Sequence, residues 1–240
     1  MSTYRNRQQK HGGTTEQTVH HSKYAALNDR DFELLLEGAH TLDALTSLEA
    51  RFIILVAGRL GLRAGEICHA RSSWLDPRRR MLVIPGSQPC ECGREGGPCG
   101  SCKQSARQKA EHNAEVTFEG ALSRMWQPKT TAAAREVPFD VNPRAELLTE
   151  RYFDRFESFT LSQTGVNRRV TAAAEAAPEL DADGIHPHGL RATAATRFAS
   201  RGLDVIALQS MFGWAQLSTA HNYIRRSGEN TARAIRDTQV

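Results

Sequence analysis

The stretch "CECGREGGPCGSC" in the middle of the chain sets the strongest limit on how this sequence can fold. It belongs to residues 86–107, which are rich in glycine and contain almost no aliphatic side chain. A segment of this composition cannot bury enough apolar surface to fold by itself, so it needs another organiser. Because the chain begins without an apolar secretion signal, its four clustered cysteines favour a metal ion over disulfides. These cysteines are Cys90, Cys92, Cys99 and Cys102.

The cysteine spacing predicts a structural zinc site. A Cys-x-Cys pair is followed by six residues and then a Cys-x2-Cys pair, and each pair can bind one ion through a tight turn. Four thiolates complete a tetrahedral Zn2+ shell, so the ion would fold the insertion and take no part in chemistry. The alternative is four free thiols in a loop. Cys68, the fifth cysteine, lies in a predicted helix and is expected to be a small buried residue.

Helix start and stop signals dominate the rest of the sequence. Asn28 precedes "DRDFELLLEGA", Asn142 precedes "PRAELLTERYF" and Asp204 precedes "VIALQSMF", so each is a predicted N-cap. Gly202 is placed where a helix ends. The strand-like stretches "SWLD" and "MLVIP" flank a turn with Pro77 and three arginines, and "EVPF" predicts another strand. The sequence therefore predicts a mainly α fold with a small antiparallel β-sheet, of the α+β class.

Length and charge limit the organisation of the chain. Its 240 residues allow one sizeable domain, which we place at residues 28–240, after a flexible basic and polar arm at residues 1–27. The formal net charge of +4 permits a polyanionic partner without requiring one. No apolar run reaches the length of about 18 residues that is typical of a membrane span. The sequence therefore predicts a cytoplasmic protein that does not bind a membrane.

Several reactive side chains lie close together in "HPHGLRATAATRFASRGLDVIALQSMFGWAQLSTAHNYIRRS" near the C-terminus. Arg191 follows His188 by three residues, so the two side chains share one face of a predicted helix. The small residues after Arg191 let this helix pack closely, which favours an arginine in a cleft that binds a carboxylate or a phosphate. Trp214 and Tyr223 follow on later turns. Each of these residues alone also fits a structural role, as a cap, an ion-pair partner or a core aromatic.

The order of these residues resembles the signature of the tyrosine recombinase family, the lambda-type phage integrases. The signature here is H-x-x-R, then a helix that ends in Phe-Gly-Trp, then a tyrosine nine residues after the tryptophan. Upstream, "GRLGLRAGEI" offers Arg63 and "PKTTAAAREVPF" offers Lys129 where the family has an arginine and a lysine. The resemblance covers about residues 45–224. Ala192 and Trp214 depart from the pattern, since the family often has histidine at both positions.

The resemblance implies the fold of a tyrosine recombinase catalytic domain and a mechanism for cutting DNA. Tyr223 would attack a DNA phosphate to form a 3′-phosphotyrosyl link and release a 5′-hydroxyl. Arg63 and Arg191 would bind the non-bridging oxygens, and Trp214 would donate one more hydrogen bond to them. Lys129 would protonate the departing 5′-oxygen.

The resemblance also implies roles for neighbouring residues and for partners. His188 would act as general base for the phenol or hold the phosphate, whereas His186 would be a turn residue and Glu66 would orient Arg63 or a nearby helix. Because two arginines would neutralise the phosphate, neither ATP nor a catalytic metal is expected. The expected partners are double-stranded DNA and further copies of the chain, four in a synaptic complex.

The expected function is that of a site-specific recombinase or integrase of a mobile element. Archaeal members look similar in carrying cysteines at this place, so the chain is identified as an archaeal member. The DNA-clamping core-binding domain that usually precedes the catalytic domain is expected to be missing. The alternatives are a recombinase-derived DNA-binding protein with an accessory or regulatory role, a type IB topoisomerase, and a zinc-ribbon interaction module.

Overall fold

The structure is a computed structural model, and it describes residues 25–93, 96–123, 126–224, 232 and 235–236. The predicted arm lies outside the described residues except for its last three positions. Within the described part, no helix has the length and apolar character needed to cross a membrane. The described helices are α1 (Asp29–Thr41), α2 (Ala44–Gly58), α3 (Ala64–Ile67), α4 (Gly100–His112), α5 (Phe118–Ser123), α6 (Pro143–Arg155), α7 (Gln163–Glu175), α8 (Pro187–Ser200), α9 (Val205–Phe212) and α10 (Leu217–Ile224).

Helix α2 forms the centre of the fold, because it is buried on almost all faces from Ser47 to its end. It packs against α1, α6, α7 and α8. Its Phe52 ring stacks on Tyr152 of α6, with 4.3 Å between the ring centroids, and lies 5.6 Å from the ring of Phe159. A helix with apolar residues all round can only be stable when other elements cover it. Helices α1, α6, α7 and α8 therefore cover α2.

The predicted helix caps are present in the structure. The side chain of Asn28 accepts a hydrogen bond from the backbone N–H of Asp31, and Asn142 does the same for Ala145. Asp204 accepts two backbone N–H groups at the start of α9. These side chains satisfy N–H groups that have no partner inside the helix, and so they fix where each helix begins.

Three short strands form one antiparallel sheet in the order β1–β2–β3. The strands are β1 (Leu75–Asp76), β2 (Met81–Ile84) and β3 (Arg135–Pro138). The register pairs Leu82 of β2 with Val137 of β3, and both side chains are buried. The predicted class, mainly α with a small antiparallel sheet, is confirmed.

The cysteine-rich insertion, residues 86–107, forms the first part of the long connection between β2 and β3. The connection contains α4 and α5, two helices that the sequence analysis does not predict. Helix α4 buries little apart from Ala106. A bridge closes the base of the connection, because the N–H of Gln88 donates to the carbonyl oxygen of Trp126 at 2.9 Å. We call this bridge the neck of the insertion.

Candidate active site

Arg63 lies at the start of helix α3, where it is the N-cap residue. Its guanidinium donates to Glu66 Oε1 at 2.8 Å and to the carbonyl oxygen of Gly213 at 2.9 Å. Glu66 Oε2 accepts the backbone N–H of Arg63, so the two residues hold each other in place at the first turn. The Arg63 side chain remains 22% exposed, and part of the guanidinium can therefore meet a ligand.

Glu66 also takes part in a buried ion pair that no pattern in the sequence indicates. Arg135, the first residue of β3, donates its two terminal nitrogens to the Glu66 carboxylate at 2.8 and 3.0 Å. Burial alone would raise the pKa of Glu66, but the charge and hydrogen bonds of Arg135, together with Arg191 and Arg63, lower this pKa to about 2. The sequence shows Arg135 only as the first residue of the predicted strand "REVP". It does not show that this arginine reaches the site.

Arg191 is buried in the second turn of α8 and is 5% exposed. It donates hydrogen bonds to the carbonyl oxygens of Gly61 and Phe212. Burial and then the charge of Arg63 lower its pKa well below the usual range, against the opposing effect of Glu66. The guanidinium therefore lies between the turn before α3 and the end of α9, with its positive charge in a desolvated place.

Trp214 and Tyr223 form a ring stack with Phe212. The ring centroids of Phe212 and Trp214 are 4.9 Å apart, and those of Trp214 and Tyr223 are 5.2 Å apart with an interplanar angle of 7°. Gly213 ends α9 with a φ of 56°, a left-handed conformation that turns Trp214 back onto Phe212. Tyr223 lies on α10 and is 6% exposed, so the phenol is packed against the tryptophan.

His188 and Lys129 are exposed at the edge of the same region. Partial burial lowers the pKa of His188, and the positive charges of His186, Arg191, Lys129 and Arg63 lower it further. Lys129 and Arg63 also line one cavity of about 320 Å3, which borders on α4 and α5. The histidine and the lysine therefore share the electrostatic field of the arginines.

Ring contacts and charge interactions thus connect the six predicted catalytic residues, which lie at the start of α3, in the first two turns of α8, in the turns after α9 and before β3, and on α10. Guanidinium groups bind the oxygens of a phosphate in a planar, bidentate manner. The phenol of Tyr223 lies near these groups, in the ring stack beside Arg191, and it is 6% exposed. The arrangement is therefore suited to phosphoryl transfer that uses fixed positive charge for electrostatic stabilisation.

The cysteines of the insertion gather around His69, a residue that the sequence analysis does not single out. His69, Cys90, Cys99 and Cys102 each offer one ligand atom, and these atoms lie within 4.8 Å of one another. Cys92 is adjacent, with its Sγ atom 3.2 Å from Cys90 Sγ. This His/Cys3 group can hold a metal ion. Nothing in the sequence marks His69, because it lies 21 residues before the first of these cysteines.

Cys68 has the expected character of a core residue. It is 2% exposed, and burial raises the pKa of its thiol to about 12. A thiol that stays protonated is neither a nucleophile nor a ready metal ligand.

Comparisons with known proteins agree on the fold. Residues 26–229 match the model of the "Phage integrase family". The Tn1549 transposon integrase in complex with circular intermediate DNA is 19% identical, with 90% of this chain and 67% of that chain covered and a TM-score of 0.59. XerA recombinase is 15% identical, with 90% and 65% covered and a TM-score of 0.57. The catalytic domain of bacteriophage HP1 integrase is 15% identical, with 88% and 93% covered and a TM-score of 0.50. A comparison with curated proteins finds no match.

Proposed function

The chain belongs to the phage integrase family, and on this premise we propose that it is a site-specific DNA recombinase that cleaves and rejoins strands through a 3′-phosphotyrosyl intermediate. One observation carries the proposal. Tyr223 stacks on Trp214, and Trp214 lies beside the guanidinium of Arg191 with 5.9 Å between that group and the indole ring. The proposed nucleophile and one of the proposed phosphate-binding cations are thus neighbours.

In the proposed reaction the Tyr223 oxygen attacks a DNA phosphorus atom, and the bond from phosphorus to the 5′-oxygen breaks. Arg63 and Arg191 stabilise the charge on the non-bridging oxygens, and the Trp214 indole N–H adds a third donor. Attack by a 5′-hydroxyl of another strand reverses the step and releases Tyr223. The phosphodiester energy is kept in the covalent intermediate, so the chemistry needs no ATP.

Two proton transfers accompany the cleavage step. A phenol has a pKa of about 10, so its proton must be removed with help, and His188 is the proposed acceptor because its lowered pKa keeps the ring neutral. Lys129 is the proposed donor to the departing 5′-oxygen, since it lines the same cavity as Arg63. The fixed cations take the place of a catalytic metal ion.

The proposed partners are double-stranded DNA and further copies of this chain. The Tn1549 integrase, one of the structural neighbours, is in complex with DNA. Strand exchange joins two duplexes and cuts each on both strands, which requires four nucleophiles. We therefore place four protomers in the synaptic complex, and we assign the chain to a mobile element, in line with a transposon integrase and a phage integrase among the neighbours.

An accessory DNA-binding role is the second candidate, and the burial of Tyr223 favours it. At 6% exposure, the phenol must move away from its stack before it can attack DNA. A protein that has lost strand exchange would keep the tyrosine as a core aromatic.

A nicked suicide substrate distinguishes the two candidates. The recombinase releases a short strand during cleavage, so rejoining fails and a covalent protein–DNA adduct accumulates on a denaturing gel. Tyr223→Phe keeps the ring stack and lacks the nucleophile, so we expect DNA binding close to that of the wild type and complete loss of the adduct. A wild-type protein that binds DNA without forming an adduct would support the accessory role instead.

A further inference from the structure

We infer that His69, Cys90, Cys99 and Cys102 form a structural zinc centre that fastens the insertion to helix α3. The centre goes beyond the proposed recombinase reaction and does not depend on it. It also differs from the set of four cysteines that the sequence predicts, because a histidine from outside the insertion replaces Cys92.

The distances around His69 match the edges of a tetrahedral zinc site. His69 Nε2 lies 3.4 Å from Cys90 Sγ, 3.7 Å from Cys99 Sγ and 3.4 Å from Cys102 Sγ. With bonds of about 2.3 Å from zinc to sulfur and about 2.0–2.1 Å from zinc to nitrogen, a tetrahedron places nitrogen and sulfur ligands about 3.5 Å apart. The three sulfurs thus surround the nitrogen at the separation that one shared ion requires.

The other ring nitrogen of His69 is already used. Nδ1 lies 2.7 Å from the carbonyl oxygen of Gly65, and since a carbonyl can only accept, Nδ1 carries the proton. In the neutral ring the lone pair is then on Nε2, the atom that lies within 3.7 Å of all three sulfurs. A backbone carbonyl on the far nitrogen is the usual way in which a protein orients a metal-binding histidine.

The surroundings of His69 fix its ring further. The indole of Trp126 stacks on the imidazole with 4.7 Å between centroids, and the Gln88 side chain donates to the His69 carbonyl oxygen at 2.6 Å. Gln88 also accepts from Trp74 Nε1 at 2.7 Å. Gln88 and Trp126 of the neck, together with Trp74 just before β1, thus form an outer layer that holds the His69 ring in place, which suits a structural ion rather than a catalytic one.

Cys92 fits less well as the fourth ligand. Its Sγ atom is not among the ligand atoms that all lie within 4.8 Å of one another, and it lies 3.2 Å from Cys90 Sγ, closer than the about 3.8 Å between two thiolates on one zinc ion. We therefore place it beside the centre and not in it.

The position of His69 gives the centre its structural consequence. His69 lies two residues after α3, the helix whose N-cap is Arg63, whereas the three cysteines belong to the insertion. An ion bound by His69 and the three cysteines would attach the insertion to the rest of the domain. The insertion makes few apolar contacts that could do this. Metal binding then supplies folding free energy that the composition of the insertion cannot.

The test measures zinc affinity and the Co2+ spectrum of the full chain, without DNA. We expect one zinc ion per chain in the wild type and in Cys92→Ser, with equal affinity. His69→Asn and Cys99→Ser should bind at least about 10-fold more weakly, since loss of a ligand exceeds the 10- to 100-fold effect of losing an outer partner. Removal of the ion by a chelator should change the tryptophan fluorescence, because Trp126 stacks on His69.

A second variant covers the case in which His69→Asn does not fold. His69→Cys replaces the imidazole with a fourth thiolate, so the sulfur-to-cobalt charge-transfer band should grow by about one third, from three thiolates to four. A wild-type chain without zinc would overturn the inference. So would Cys92→Ser that binds as weakly as His69→Asn, or a cobalt band that does not grow in His69→Cys. Because no readout involves DNA, failure here is distinct from failure of the recombinase reaction.

Discussion

The ion pair between Glu66 and Arg135 holds the first turn of α3 against β3, and with it the guanidinium of Arg63. The side chains of Glu66 and Arg135 are 2% and 4% exposed. Glu66→Gln leaves Arg135 as a buried charge without its counter-ion, so we expect a loss of about 3–5 kcal/mol in the free energy of unfolding. Urea denaturation at neutral pH measures it.

Two controls separate this effect from a general loss of charge. Glu136→Gln removes a carboxylate that pairs with Arg79 on the exposed side of the same strand, and it should change stability little. The pH supplies the second control. Because the pKa of Glu66 falls to about 2 on folding from about 4.3 in the unfolded chain, its stabilisation is complete above about pH 4.3 and is lost as the pH falls toward 2. The difference between wild type and Glu66→Gln should shrink over that window, and a difference that stays constant would contradict this role.

Single residues show what sequence patterns can and cannot reveal. The sequence predicts a metal site from the cysteines because they lie close together and thiolates are common metal ligands. Arg135 and Glu66 are 69 positions apart, and His69 is 33 positions from Cys102. The choice of partner in each case depends on how α3, β3 and the insertion pack together, and no local pattern contains that information.

At the scale of elements, the end of α9 positions groups from three parts of the site. Gly213 has a φ of 56°, and its carbonyl oxygen accepts from Arg63. A Cβ atom at Gly213 would lie 2.8 Å from the carbonyl oxygen of Ala132 and 2.9 Å from Arg135 Cδ. Three parts of the site therefore meet at Gly213, which has no room for a side chain. They are the turn after Lys129, Arg135 of the ion pair, and the ring stack.

Gly213→Ala should therefore both destabilise the fold and impair cleavage. Left-handed strain and overpacking together are expected to cost about 2–5 kcal/mol. Gly184→Ala is the matched control, because Gly184 has a φ of 81° and nothing within 4 Å of the added Cβ, so it carries the strain alone, about 1–2 kcal/mol. Thermal unfolding compares the stability of the two variants. The yield of the covalent protein–DNA adduct, measured at a temperature where both are folded, compares their cleavage. Equal effects of the two substitutions would show that the packing around Gly213 is unimportant.

Most elements could be predicted because their ends carry local signals. Asn28, Asn142 and Asp204 act within one turn of their own positions, and an apolar helix such as α2 shows its burial in its composition. Helices α4 and α5 carry no such signal. The first has one fully buried residue, Ala106, and the second has six residues, so both depend on contacts made after the rest of the chain has folded.

At the scale of the whole molecule, electrostatic attraction to DNA should dominate binding. The formal net charge is +4, and three of the cations that it includes, Arg63, Lys129 and Arg191, are the proposed contacts to phosphate. We expect the logarithm of the binding constant for duplex DNA to fall linearly with the logarithm of salt concentration, with a slope of about −3 or steeper, at about −0.9 per neutralised phosphate.

Lys129→Ala provides the internal check on that slope. Lys129 is exposed, so its removal should leave the fold intact and make the slope shallower by about 0.9 if the side chain contacts a phosphate. Fluorescence anisotropy over a series of salt concentrations measures both proteins. Identical slopes would remove Lys129 from the set of phosphate contacts, and a flat dependence in the wild type would contradict a binding surface built from these cations.

The neck between Gln88 and Trp126 has a consequence for how such a chain can change over generations. It brings the two sides of the connection between β2 and β3 together, so the pairing of β2 with β3 does not depend on how much chain lies beyond the neck. The entropy of closing a loop rises by only about 0.6 kcal/mol for each doubling of its length. The segment beyond the neck can therefore be lengthened, shortened or exchanged, by evolution or by engineering, while the helices that carry the arginines and the tyrosine keep their places.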